Sequence, residues 1–259
     1  MTTETPTTTS PGTGRRDAVL TFDDVSRTFP DGTFALGSTS FDVARGEFVT
    51  IVGPSGCGKS TLLRIASGLD APSSGRVDVD HASLGYVFQD ATLLPWRDVR
   101  RNVQLFAELD GLGRAETAKR VAENVRLVGL EGFEDKYPKQ LSGGMRMRAS
   151  LARALVMEPD IFLFDEPFGA LDEITRERLN DELLGLFMRK GFGALFITHS
   201  ITEAVFLSTR VLVMSQRPGR ILEQFEVPFP FPRLHDLRFE AEFGELAGEV
   251  SHALRGAHA

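Results

Sequence analysis

Thr50-Ile51-Val52-Gly53-Pro54-Ser55-Gly56-Cys57-Gly58-Lys59-Ser60-Thr61 runs from an apolar stretch into glycine and then into Gly-Lys-Ser. The pattern Gly, any four residues, Gly-Lys-Ser/Thr belongs to a loop that wraps phosphate between a strand and a helix. Gly53, Gly56 and Gly58 let the backbone turn where a Cβ would clash, so successive N–H groups converge on one anion. The helix expected to begin near Lys59 adds its positive end. Lys59 is expected to reach the β- and γ-phosphates of a nucleotide, and the Ser60 hydroxyl to ligate Mg²⁺. The competing reading, an accidental glycine-rich turn, loses ground with each further motif.

Cys57 is the only cysteine of the chain, so there is no intrachain disulfide and a reducing compartment is expected. The N–H groups of its loop and the helix end are expected to stabilise a thiolate that alkylation could reach through the nucleotide pocket. With 259 residues, 42% of them hydrophobic, the chain can bury one large core or two modest ones. A net charge of −7 and the absence of a long Lys/Arg block argue against constitutive nucleic-acid binding. Arg97, Arg100 and Arg101 form either a local partner patch or a solvated face. No run approaches the roughly 18 apolar residues of a membrane span. The Thr/Pro-rich start, Met1 to Asp17, lacks the apolar centre of a secretion signal and reads as a disordered tail.

Between Ala18 and Phe48 the pattern is β-like, with Val19-Leu20-Thr21-Phe22 and Phe41-Asp42-Val43 expected as short antiparallel edge strands around turns at Pro30-Asp31-Gly32 and Arg45-Gly46. Phe29, just before the first turn, either stacks on a purine or plugs the core. Strand Phe48–Val52 enters the phosphate loop. Thr61 to Gly68 reads as a helix with Leu62, Leu63 and Ile65 inward, stopped by Gly68. Leu84-Gly85-Tyr86-Val87-Phe88 is a further strand that delivers Gln89 to a loop. From Asp90 to Gln140 the period becomes helical, with Val99, Val103 and Phe106 on one face and Val121, Val125, Leu127, Val128 and Leu130 on another. An inserted helical lobe of about residues 90–150 is therefore expected. Trp96, in Leu93-Leu94-Pro95-Trp96-Arg97, is either an interface anchor or a plug in that lobe.

Ser142 is placed as a helix cap with Gly143 and Gly144 behind it, a second phosphate-type nest before a helix from about Met145 to Val156. Ile161-Phe162-Leu163-Phe164 is apolar on both faces, as in the middle of a parallel sheet, and ends in Asp165 and Glu166. Such sheets bind ligands at the carboxyl ends of their strands, which brings both carboxylates beside the phosphate loop. Ala194 to Thr198 is a similar strand ending in His199, which is either a satisfied structural histidine or a γ-phosphate contact. Val211 to Met214 is buried too, and Gln216-Arg217-Pro218-Gly219-Arg220 turns into a short last strand. Phe239, Phe243, Leu246, Val250 and Leu254 mark an amphipathic helix in the C-terminal extension, residues 226–259. It packs on the catalytic lobe or serves a partner, and is too acidic for an anionic membrane.

From Gly53 to His199 the order and spacing of these motifs resemble the ATP-binding subunits of ABC transporters, and the likeness extends from Ala18 to about Phe225. The resemblance implies an α/β fold: a P-loop NTPase core with a mainly parallel sheet, an antiparallel β subdomain and an inserted α-helical subdomain, together spanning residues 18–225. It implies ATP and Mg²⁺ as cofactors. Carried over, Phe29 is the adenine-stacking aromatic and Gly53, Pro54, Ser55, Gly56, Cys57, Gly58, Lys59, Ser60 and Thr61 are the phosphate loop. Gln89 senses Mg²⁺ and the membrane partner, and Ser142, Gly143 and Gly144 are the family signature. Asp165 is the magnesium-linked carboxylate, Glu166 the general base, Asp172 part of a loop crossing the dimer and His199 the switch histidine. Phe29 replaces the commoner tyrosine, and Gly169 stands where many members carry serine.

Leu93-Leu94-Pro95-Trp96, Asp165 to Asp172, Thr198 to Ala204 and Ser215 to Arg220 look most like the nitrate/sulfonate/taurine importer ATPases. The implied partners are a second ATP-binding subunit, an integral permease and, through it, an extracytoplasmic solute-binding protein, with the chain peripheral at the cytoplasmic face of the plasma membrane. ATPases of importers for thiamine pyrimidine precursors are closely similar. A non-transport ABC ATPase would usually carry two cassettes or long inserted arms. A small-molecule kinase would need neither the nest at Ser142 nor the Glu166 base.

Overall fold

The structure is a computed structural model, and it describes residues 17–80 and 84–257. The expected tail therefore lies almost entirely outside the described residues. Six strands form the main sheet in the order β5 (Leu84–Val87), β6 (Ile161–Asp165), β7 (Gly193–Ile197), β3 (Phe48–Val52), β8 (Arg210–Met214) and β9 (Ile221–Glu226). The first five are parallel, and β9 closes the edge antiparallel to β8.

The parallel strands are buried on both faces, and their period of two divides two cores. Phe48, Phe162, Phe164, Phe196, Val211 and Val213 point to one side, where Phe187 and Phe192 pack on them. Val49, Ile51, Leu163, Leu195, Ile197 and Leu212 point to the other, against α1 (Lys59–Ala66) and a second sheet. That second sheet has the order β2 (Phe34–Ala44), β1 (Ala18–Thr28), β4 (Ser74–Val79), all antiparallel.

Several expectations change here. The two N-terminal strands are eleven residues each and belong to their own sheet. Register shifts along β1 break the alternation that would have revealed their length. β4 was not expected at all. Helix α1 does start at Lys59, as expected for the end of the phosphate loop, and Gly68, in a left-handed conformation, follows its end. In the inserted region α2 (Val99–Val103) and α3 (Leu105–Leu109) are separate short helices. The break at Gln104 shifts the phase, so Ala107 is buried where Phe106 was expected, and Phe106 is partly exposed under the Arg153 guanidinium. Next come α4 (Arg114–Leu127) and α5 (Gly143–Leu155).

Helix α6 (Glu173–Lys190) is the longest and was not anticipated. Asp172 caps it by accepting from Thr175 N, and left-handed Gly191 stops it. After β7, α7 (Ile201–Leu207) is capped by Ser200. The C-terminal helix, α8 (Ala241–Gly256), buries Phe243, Val250 and Ala253 against α7 and β8, so its apolar stripe packs on the catalytic lobe. Phe239 is not on that stripe: it ends a separate 3-10 turn, His235–Phe239, and is exposed. Arg233 fastens this extension, its buried guanidinium donating to the Val205, Phe206 and Ser208 carbonyls at the end of α7.

Candidate functional site

The phosphate loop joins β3 to α1, and Gly58 is its hinge. Its φ is 110°, and a Cβ there would lie 2.6 Å from Leu36 Cδ2. Only glycine meets both conditions. Lys59 follows, 6% exposed, with Nζ donating to the carbonyls of Gly53 at 2.8 Å and Pro54 at 2.9 Å. The ammonium is thus folded onto its own loop. Ser55, Gly56, Gly58, Lys59, Ser60 and Thr61 line one pocket with Phe29, Ala35, Glu166 and Arg217. Phe29 is half-buried at its wall beneath the Arg27 guanidinium, a placement open to a flat ring and unlike a core plug.

The neighbouring strand ends supply the acids. Ser60 Oγ donates to Asp165 Oδ1 at 2.9 Å, and Tyr86 Oη donates to Asp165 Oδ2 at 3.4 Å. Burial pushes the Asp165 carboxyl above its ordinary range, Ser60 pulls it down, and the charge of Glu166 pushes it up again. Burial, then Asp165, pushes the Tyr86 phenol up as well. Tyr86 was legible as a strand residue, but only strand pairing shows that its hydroxyl reaches Asp165.

Glu166 has φ +45°, rare for a residue with a side chain. Its N–H still donates to Ile197 O of β7 while the left-handed backbone turns the chain out of the sheet. One carboxylate oxygen then lies 3.0 Å from His199 Nδ1, so His199 contacts the expected base. A Cβ on Gly169 would meet Glu166 O, His199 Cε1 and Glu166 Oε2 at 3.4 to 3.6 Å, ordinary contact distances, so there is room for a Cβ at this position.

The structure does not place all expected site residues together. Gln89 is exposed in the loop after β5 and does not line the pocket. Ser142, Gly143 and Gly144 do not line it either. Ser142 caps α5 by accepting from Met145 N, and the two glycines lie against Leu171 and Thr175 where α6 begins, beside Asp172. Arg153 ties α5 to the loop after Gln89, donating to Ala91 O and Thr92 O. Nothing in its sequence neighbourhood marks that link.

Two expectations need correction or a decision. Cys57 is 1% exposed, and burial pushes its thiol up, outweighing the pull of Lys59 and of the loop N–H groups. It is a small core residue and not an activated thiol. Trp96 is 70% exposed, which removes the core-plug reading. Buried Asn102 holds its loop, bonding Leu94 N at 2.7 Å and the carbonyls of Leu94, Arg97 and Asp98. Arg97, Arg100 and Arg101 pair with Glu108, Asp135 and Asp98, as a solvated face does.

The family model described as "ABC transporter" matches residues 36–169. The taurine import ATP-binding protein TauB of Pseudomonas aeruginosa is 44% identical over 223 residues, covering 82% of this chain and 85% of that protein. The nitrate import ATP-binding protein NrtD of a Synechocystis strain is 41% identical over 235 residues, 86% of this chain and 88% of that one. Among solved structures, the dimeric post-hydrolysis state of the ATP-binding cassette MJ0796 bound to ADP and Pi aligns with a TM-score of 0.72 at 31% identity, covering 82% of this chain and all of that one. The likeness in sequence over most of the length and the likeness in three dimensions agree, and the chain belongs to the ABC transporter family as one of its ATPases.

Proposed function

We propose that this chain is the ATP-hydrolysing subunit of an importer for a small solute such as nitrate, a sulfonate or taurine. The observation that supports hydrolysis is the shared pocket in which Glu166 faces the phosphate loop and Lys59. The cargo class rests on likeness to the taurine and nitrate import proteins. Glu166 orients a water in line with the terminal phosphate and takes its proton. Lys59 leaves the Gly53 and Pro54 carbonyls for the β- and γ-phosphates. His199 holds Glu166 in place.

Ser60 and Asp165 offer oxygen donors only, which suits Mg²⁺ bound mainly through phosphates and water. Among the described residues no cluster of three or more His, Cys, Asp or Glu could hold a metal by itself. The ion would neutralise charge developing on the phosphates. Ser142–Gly144, lying outside the pocket of their own chain, serve the nucleotide of a second subunit, so two ATP molecules sit between opposed phosphate loops and signatures. ATP favours the closed pair through contacts that the open pair lacks.

No described helix is long and apolar enough to cross a membrane. A permease supplies the pathway and docks beside Leu94 and Trp96, an apolar anchor of the kind found at interfaces. The test is ATPase activity of the complex reconstituted in membranes with its loaded binding protein. Wild type is expected to be stimulated by that protein, Lys59→Ala to be inactive, and Leu94→Ala/Trp96→Ala to keep ATP affinity and lose stimulation. Full stimulation in the double variant refutes the docking site, and wild-type turnover in Lys59→Ala refutes the catalytic assignment.

A further inference from the structure

Arg217 reaches the phosphate loop from a segment that none of the expected site residues belongs to. Its Nε and Nη2 both donate to Gly56 O, at 3.2 and 3.0 Å, and its guanidinium lines the pocket with Phe29 and Lys59. The segment that carries it is fastened on both sides. Gly219 donates to Ala35 O at 3.0 Å and accepts from Gly37 N at 2.9 Å, while Ser215 and Arg220 close a turn on each other. Gly219 is so near the loop that a Cβ there would lie 2.1 Å from Cys57 O. Arg217 therefore holds the Gly56 carbonyl, and Gly219 packs closely against the Cys57 carbonyl.

We propose that Arg217 is a positioning residue for the phosphate loop, fixing the Gly56–Cys57 peptide so that the Cys57 N–H faces the bound phosphates. In a trans peptide C=O and N–H point in opposite directions. A Gly56 carbonyl drawn outward to a fork of two donors thus turns the Cys57 N–H inward. The structure shows that direction: Cys57 N donates across the loop to Pro54 O at 3.4 Å, the same carbonyl that Lys59 Nζ holds. That long bond is easily exchanged for a phosphate oxygen. Arg217 also places a fixed charge at the pocket mouth. Behind the Thr33 N–H and hydroxyl, it helps to hold the Asp31 carboxyl below its ordinary range. The role requires the planar fork, which lysine lacks.

The inference rests on the proposed nucleotide site and is tested by titrating the purified chain with fluorescent ATP and ADP analogues, alongside steady-state hydrolysis. Arg217→Ala is expected to weaken ATP and ADP about equally, by about tenfold, the scale of one misplaced hydrogen bond to a charged group. KM for ATP rises by a similar factor while kcat changes far less. Arg217→Lys, with the charge but without the fork, remains weaker than wild type, and it carries the test if Arg217→Ala does not fold. Wild-type affinities in Arg217→Ala, a lower melting temperature with no change in affinity, or full recovery in Arg217→Lys would each overturn the role. Failure of the wild-type chain to bind either analogue would instead overturn the nucleotide site itself.

Discussion

His199 Nδ1 and Glu166 Oε2 lie 3.0 Å apart, although the residues come from the ends of different strands. In the Nδ1–H tautomer the imidazole donates to the carboxylate and fixes the direction in which Glu166 can accept a proton. The two side chains then act as one unit.

That unit predicts non-additive kinetics. Glu166→Gln is expected to retain ATP and lose about 10² to 10⁴ in hydrolysis, the range for a positioned base. His199→Ala removes an orienting hydrogen bond and costs about 10- to 100-fold. The double variant should hydrolyse ATP no more slowly than Glu166→Gln alone. Phosphate-release rates for the three proteins decide this, and multiplying losses would show that the residues act separately.

Cys57 should be chemically silent. A thiol with almost no exposure and a raised pKa reacts slowly, because the thiolate is the attacking form. Labelling by a bulky maleimide is expected to be negligible with or without Mg-ATP and rapid in urea. Fast labelling of the native chain that ATP suppresses would restore the view that the thiol faces the pocket.

Glu203 gives a pH test. It is buried on α7, where it accepts from the Thr198 hydroxyl, while its other oxygen has no partner at hydrogen-bond distance among the described residues. Burial pushes its carboxyl above the ordinary range, with Thr198 and Asn180 pulling the other way. A raised carboxyl is protonated in both states at low pH and costs nothing there. The cost of ionising it in the fold appears as pH climbs from the unfolded value through the folded one. Glu203→Gln should therefore melt above wild type near neutral pH, and the difference should fade as pH drops through that window. Melting curves from acid to neutral pH check the sign, and a difference that grows on acidification would refute it.

Asn102 and Trp96 should separate support from contact. Trp96→Ala, at an exposed site, is expected to change stability by within about 0.5 kcal/mol. Asn102→Ala leaves buried backbone groups unpaired and is expected to cost about 1–3 kcal/mol. Urea unfolding of the isolated chain measures both, and a large loss for Trp96→Ala would mean that the ring supports the fold.

The parallel sheet was legible because β3, β6, β7 and β8 are apolar on both faces, so their sequences have no polar side to obscure them. The antiparallel sheet was not. In β4, Ser74-Gly75-Arg76-Val77-Asp78-Val79, only Val77 and Val79 are half-buried, and the strand is held by pairing with β1. Helix α6 escaped because it buries Leu179, Asn180, Leu183, Leu184, Leu186 and Phe187 among charges that mask a single stripe. At the site, the loop and the two carboxylates follow from local spacing. Arg217 and Tyr86 reach it only through tertiary pairing, and Cys57 was misjudged because burial competes with nearby N–H donors and outweighs them.

The strand order carries a consequence for biosynthesis. Phe48 pairs with Ala194, and Val49 with Arg210, so β3 gains both of its neighbours from the last third of the chain. At roughly 5–20 residues per second, translation leaves β3 without either partner for on the order of ten seconds. Through that interval Phe48, Val49, Ile51 and Val52 are an uncovered apolar segment with open edges, the form of chain that associates wrongly. A ribosome that stalls before Gly193 would present a phosphate loop with neither neighbouring strand beside it, and the nascent chain is open to wrong association until its C-terminal third emerges.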